Sequence, residues 1–118
     1  MASHNDLGRY GEQLAISYLS AADFNILFKN WRHSYYEIDV ICCRHNVLHF
    51  IEIKTRRSLA FGFPEQDVND KKLEKLMIAA EEFLHQYPTW ERVQYDILSI
   101  YIARNKQPEF LFIEDVAL

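Results

Sequence analysis

Cysteine, glycine and proline are scarce in this chain of 118 residues, which holds two, three and three of them respectively. The cysteines, Cys42 and Cys43, are adjacent. That spacing excludes a zinc motif and disfavours a bridge, so they read as small buried hydrophobes in a reducing compartment. Few glycines and prolines leave little room for long flexible joints, and no repeat or low-complexity tract appears. Long apolar runs are missing as well. Nothing approaches the roughly 18 uninterrupted apolar residues of a membrane helix, and the opening MASHNDLGRYGEQLAISYLS lacks a basic segment followed by an apolar core. The expectation is a soluble, cytoplasmic protein without a membrane partner. A basic excess is also absent: net charge is -4 and the sequence pI is near 5.7. This opposes binding of nucleic acid through the whole surface, although clustered carboxylates that hold cations can still neutralise phosphate locally.

What the chain does contain, 49% hydrophobic and 25% charged residues, suits one globular domain spanning 1–118 with one site or binding surface. Asn5 or Asp6 can cap a first helix to about residue 22, with Leu7, Leu14, Tyr18, Leu19 and Ala22 on one side. Gly8 and Gly11 interrupt it. Each costs roughly 1 kcal/mol against alanine in a helix interior, so the pair marks either close approach by another group or a frayed first turn. Residues 24–32 read as a strand bent near Asn30. Residues 38–43 and 47–55 are stronger strands, rich in Ile, Val and Phe, and the short break between them makes an antiparallel hairpin. Residues 61–67, with Gly62 and Pro64, read as loop.

Asn69 then caps a second helix to about residue 87, stopped by Pro88, whose Leu73, Leu76, Met77, Ala80, Phe83 and Leu84 form a core-facing stripe. Strands follow at 93–102 and 110–114, with a turn at 105–108. The order is αβββαββ. A helix between the third and fourth strands makes them parallel neighbours, giving an α/β fold with a mixed central sheet flanked by helices.

Chemistry concentrates in the central hairpin, YEIDVICCRHNVLHFIEIKTRR. Strand periodicity puts Glu37 and Asp39 on one face, and Glu52 and Lys54 on one face of the next strand. If His45-Asn46 forms a two-residue turn, Arg44 faces Val47, and the same register sets Asp39 opposite Glu52 and Glu37 opposite Lys54. Opposed side chains lie about 4.5 to 5.5 Å apart at Cβ, close enough for two carboxylates to share a divalent cation. Without a cation or proton between them they repel. Magnesium suits such a pair, because it takes one or two carboxylates, several waters and a phosphate oxygen. A lysine two residues on can then hold an attacking water or stabilise charge developing on phosphorus.

A bland account stands beside this one. Glu-x-Lys arises by chance in roughly two of every five chains of this length, so alone it decides nothing. Alternating charge ordinarily marks a solvated strand face, for which a Glu37–Lys54 ion pair would be reason enough. Against that, Leu48 and Phe50 share the face of Glu52 and Lys54, so most of it is buried and its charges gather at one end. Arg56, Arg57, Lys71, Lys72 and Lys75 could follow a phosphate backbone. Glu74, Glu81 and Glu82 around the helix lysines favour a solvated helix there. Asp96 reads as a satisfied structural acid, and the five histidines pair convincingly with no cysteine or acid. Tyr35 and Tyr36 could stack on a base, with edge-strand packing the safer reading.

Taken together, these segments resemble the bacterial YraN-like family, uncharacterised proteins expected to be endonucleases with a restriction-endonuclease-like fold. LGRYGEQLAISYL resembles its opening helix, EIDVI its first acidic strand, HFIEIKTRRS its central strand, DKKLEKLMIAAEEFL its second helix and YDILSI the strand after. The chain is also similar to archaeal Holliday-junction resolvases, which share a helical Glu, an Ile-Asp strand and a Glu-x-Lys strand. The resemblance implies Asp39 and Glu52 as metal ligands, Lys54 as the catalytic lysine and Glu12 as a helical acid assisting the metal. It further implies Gly11 for close approach and Lys71 or Lys72 for substrate contact. Two positions depart from the family pattern. Tyr36 stands where a glycine usually precedes Glu-Ile-Asp, and Gln94 where an arginine usually precedes the aromatic-Asp pair.

The leading expectation is therefore a metal-dependent endonuclease that hydrolyses phosphodiester bonds in DNA, branched or repair intermediates included, with magnesium as cofactor and manganese as its substitute. A non-catalytic nucleic-acid-binding module and a protein-interaction domain are the alternatives. Symmetric substrates such as junctions favour a homodimer, though no stretch identifies its interface.

Overall fold

The computed structural model describes residues 4–57 and 70–116. Their order is α1 (His4–Ala21), β1 (Asn25–His33), β2 (Tyr36–Arg44), β3 (Val47–Arg56), α2 (Asp70–Gln86), β4 (Val93–Tyr101) and β5 (Glu109–Ile113). The strands form one five-stranded sheet in the order β1-β2-β3-β4-β5. β3 and β4 are parallel, while β1–β2, β2–β3 and β4–β5 are antiparallel. The parallel pair follows from α2, which carries the chain back across the sheet before β4 begins. This is the αβββαββ, restriction-endonuclease-like arrangement.

Adjacent strand residues face opposite sides, and β3 uses both. Ile51 packs with Ala15 and Leu19 of α1 and with Val40, Leu98 and Ile100. Its neighbour Phe50 packs with Leu76, Ala79, Ala80 and Phe83 of α2 and with Ile41 and Leu48. Each helix therefore covers its own face. Phe83 is the main anchor of α2: it is buried and meets Phe28, Trp31 and Phe50 edge-on at 5.5, 5.4 and 5.7 Å between ring centroids. The T-shaped geometry adds about 0.5–1.5 kcal/mol per pair beyond area burial.

Local chemistry sets the ends of the elements. α1 closes with Asp23 in the left-handed region at φ 68, while Asp23 N–H donates to the Ser20 carbonyl and Phe24 N–H to that of Leu19. These are the two hydrogen bonds of a Schellman end, with Phe24 packed in the cluster that holds Leu19. His45 and Asn46 both take left-handed φ, 54 and 65, the pattern of a type I′ hairpin turn. Arg44 pairs with Val47 across it, as the two-residue turn requires. Asn30 is left-handed too, φ 54, although the β1–β2 register is the same on either side of it, at Lys29–Val40 and Trp31–Ile38; the register shifts instead between Ile26 and Phe28. β1 runs on through the position of the expected bend.

One boundary needs correction. α1 already runs from His4, so Asp6 sits in its first turn, where an acid offsets the positive end of the helix dipole, and neither Asn5 nor Asp6 is the cap. The expected loop at 61–67 and the Asn69 cap lie outside the described residues. No helix among the described residues is long and apolar enough to cross a membrane.

Candidate functional site

β2 stays paired with β1 as far as Tyr36, and β3 stays paired with β4 as far as Arg56. Between β2 and β3, however, the ladder runs only from Arg44–Val47 to Val40–Ile51. Past that rung the two strands part, and the sheet forks. Asp39 and Glu52 are the first residues beyond it. Ile53, whose backbone would otherwise pair with β2, instead donates its N–H to Asp39 Oδ2 at 2.8 Å. A side chain thus continues the ladder for one step, which pins the Asp39 carboxylate in the mouth of the fork.

The two carboxyls are hydrogen-bonded to each other. Burial, with the charges of Glu52 and Glu37 adding to it, pushes the Asp39 carboxyl up to about 8, against the lowering effect of Ile53 N–H. Glu52 is also raised, again by burial, while Lys54, Asp39 as a hydrogen-bond partner and Lys72 pull it down. In water both groups would be ionised at neutral pH; here burial and mutual repulsion oppose the second charge. A divalent cation would remove the same repulsion, so the donor set fits a hard, oxygen-seeking ion. Among the described residues, no three or more His, Cys, Asp or Glu gather into a metal-holding group.

Glu52 and Lys54 open onto a groove of about 230 Å³ whose other side carries Lys72, Lys75 and Leu76 of α2, with Tyr35, Tyr36 and Glu37 at its border. Lys72 therefore reaches the site from the second helix. Lys71 and Arg57 are exposed, and Arg56 is half-buried at the end of β3. The expected Glu37–Lys54 rung is absent, because β2 has left β3 by that point. Glu37 stays with β1 and pairs with Arg32 at 3.6 Å.

Glu12 does not line this groove. It borders a second one of about 410 Å³, shared with Arg9, Gln13, Ser17, Lys29 and Asn30, because α1 covers the sheet face away from α2. Gly11 explains how near α1 comes to the fork: a Cβ built there would lie 2.3 Å from Thr55 Cγ2. The residue preceding Glu12 is therefore seated against the residue following Lys54. At Gly8 nothing lies within 4 Å of such a Cβ, so only the second glycine answers to close approach.

One buried constellation escaped the sequence reading. His49 Nδ1 and Asp96 Oδ2 are 2.5 Å apart, both side chains nearly sealed from water. Asp96 Oδ1 accepts from Gln94 Nε2 and Asp115 N–H, each at 2.9 Å. Asp96 is thus a satisfied structural acid, and Gln94 supplies a donor to it where the family pattern has arginine. The signal lay in periodicity: Val93 opposite Leu48 puts His49 and Asp96 on the α1 face of adjacent parallel strands. Tyr36 packs with the α2-side core, but Tyr35 does not pack at the edge; it is 98% exposed.

Fold and fork define an α/β protein of restriction-endonuclease-like arrangement with a paired-carboxylate groove. A model of the uncharacterised protein family UPF0102 matches residues 11–100, a span that includes Glu12, Asp39, Glu52 and Lys54. The chain is similar to a UPF0102 protein of Rhodococcus opacus, 37% identical over 116 residues covering 98% of each chain. A UPF0102 protein of Mycolicibacterium vanbaalenii is 38% identical over 116 residues, 98% of this chain and 96% of that one. UPF0102 protein FP2501 of Flavobacterium psychrophilum is 36% identical over 106 residues, 90% and 89% of the two chains. The chain belongs to the UPF0102 (YraN) family.

Proposed function

We propose that this chain is a divalent-metal-dependent endonuclease that hydrolyses phosphodiester bonds in DNA, branched or repair intermediates among its substrates. The observation that carries the reading is the half-buried Asp39–Glu52 pair at the mouth of the fork, with Lys54 two residues beyond Glu52 and facing the same lysine-bordered groove. A carboxylate pair that repels itself weakens a fold, and a role in holding a cation gives it a reason to be there. Asp39 and Glu52 would hold magnesium or manganese, which when bound polarises the phosphate and lowers the pKa of a coordinated water. Lys54 holds the attacking water or stabilises the charge that builds on the phosphoryl oxygens as the new P–O bond forms and the bond to the leaving sugar oxygen breaks. Lys72 and Lys75 receive the flanking phosphates, and Arg56 and Arg57 extend that track, with Lys71 at its edge. Glu12, which borders the groove on the opposite face of the sheet, takes no part in this arrangement.

The test is cleavage of duplex, flap and junction substrates with magnesium or manganese. Wild type is expected to cut at least one of them, and Lys54→Ala to lose about 10²–10³-fold. Equal trace activity in both proteins would end the proposal. A second reading, a nucleic-acid-binding module without turnover, draws on the fact that Asp39 and Glu52 gather no third acid among the described residues. Salt-dependent DNA binding indifferent to chelation and to Asp39→Asn would favour it. A homodimer presenting two forks would suit a symmetric substrate, and sedimentation with and without a junction tests that.

A further inference from the structure

An exposed tyrosine is unremarkable by itself, and what distinguishes Tyr35 is where the fold holds it. Its side chain is 98% exposed, so it contributes almost nothing to the core. Nor is it on a long loop. His33 and Tyr36 form the last rung of β1–β2, and Ser34 alone takes the left-handed region, φ 55, as in a two-residue type II′ turn. Both neighbours of the tip are anchored. Tyr36 packs into the α2-side core, while His33 stacks on Trp31 and meets Glu82 of α2 at 3.7 Å. A short hairpin thus projects one aromatic ring at the border of the groove that holds Glu52, Lys54, Lys72 and Lys75.

A ring in that position, beside three ammonium groups, has the two components that recognise a single nucleotide: a π-face for the base and cations for its phosphate. A base inside a duplex already has both faces covered, so only an unpaired or extruded base offers one to the ring. We propose that Tyr35 is a base-stacking residue, and that the groove takes an unpaired nucleotide of a nucleic-acid strand with its phosphate towards Lys54, Lys72 and Lys75. This deepens the reading of the groove as a phosphodiester site and rests on it for the phosphate. It selects single-stranded segments and strand branches over continuous duplex.

The test uses DNA oligonucleotides carrying 2-aminopurine in a single strand, at a branch, or within a continuous duplex, with chelator present to prevent turnover. Wild type is expected to quench the unpaired probe and to bind it more tightly than the duplex. Tyr35→Ala should weaken that binding about 10-fold and abolish the quench, whereas Tyr35→Phe and Tyr35→Trp should retain both. Unchanged binding and quench in Tyr35→Ala, or no preference of wild type for the unpaired probe, would overturn the proposal. Because turnover plays no part, a protein that never cleaves can still pass this test. A protein that cleaves single-stranded or branched substrates as well with Tyr35→Ala as without it fails this inference while the nuclease reading survives.

Discussion

Asp39 and Glu52 face each other one step beyond the Val40–Ile51 rung, at the point where β2 and β3 separate and Ile53 N–H turns to the Asp39 carboxylate. The pair is half-buried, both carboxyls are pushed up, and their titration reaches the whole fold. The Asp39 carboxyl stands at about 8 in the folded chain and about 3.9 when unfolded. Between those values the folded state binds more protons than the unfolded one, so stability falls as pH rises and levels off above about 8. Asp39→Asn keeps an acceptor for Ile53 N–H and removes the titration. Thermal melts from pH 4 to pH 9 should show the variant gaining on wild type as pH rises, reaching on the order of 5 °C at pH 8. Parallel curves would mean that the Asp39 carboxyl is not raised.

A cation that replaces the proton must show the opposite pH preference. At pH 8 saturating magnesium or manganese should raise the melting temperature of wild type, since a ligand at 100 times its Kd adds about 2.7 kcal/mol. At pH 5 the shift should shrink, and Glu52→Gln should abolish it. Absence of a shift in wild type at pH 8 would remove the metal from the site.

The two glycines of α1 should behave oppositely. Gly11→Ala drives a methyl into Thr55 and should cost about 1–3 kcal/mol in denaturant unfolding. Thr55→Ala, which clears the obstructing atoms, should restore most of the loss in the double variant. Gly8→Ala meets open space and should stabilise by about 0.5–1 kcal/mol through helix propensity alone.

The His49–Asp96 pair should be structural. Asp96→Ala would strand His49, Gln94 and the Asp115 N–H, and is expected to lose about 3 kcal/mol of stability. Below its own melting temperature the variant should keep its metal-induced shift. Loss of that shift in a folded variant would tie the network to the fork.

Much of this was legible in the chain. A strand period of two and a two-residue His45-Asn46 turn leave one register for β2 and β3, and hence Asp39 beside Glu52, before any coordinates. Helical spacing placed Phe83 and Leu76 in the core, and the apolar runs marked all five strands. These are local properties: each depends on residues within a few positions of one another.

What the tertiary structure decided depends on pairings between distant segments. The register alone predicts a continued ladder to Glu37–Lys54, but β2 follows β1 and β3 follows β4, so the sheet opens and Glu37 pairs with Arg32. Glu12 lies on a helix whose face is chosen by Ala15 and Leu19, which sends it to the other side of the sheet from Glu52. His49 and Asp96, 47 residues apart, meet only because β3 and β4 run parallel in one register. By itself the sequence determined which side chains each element presents; the packing of β2 and β3 against different neighbours decided that Asp39 and Glu52 would meet in a fork.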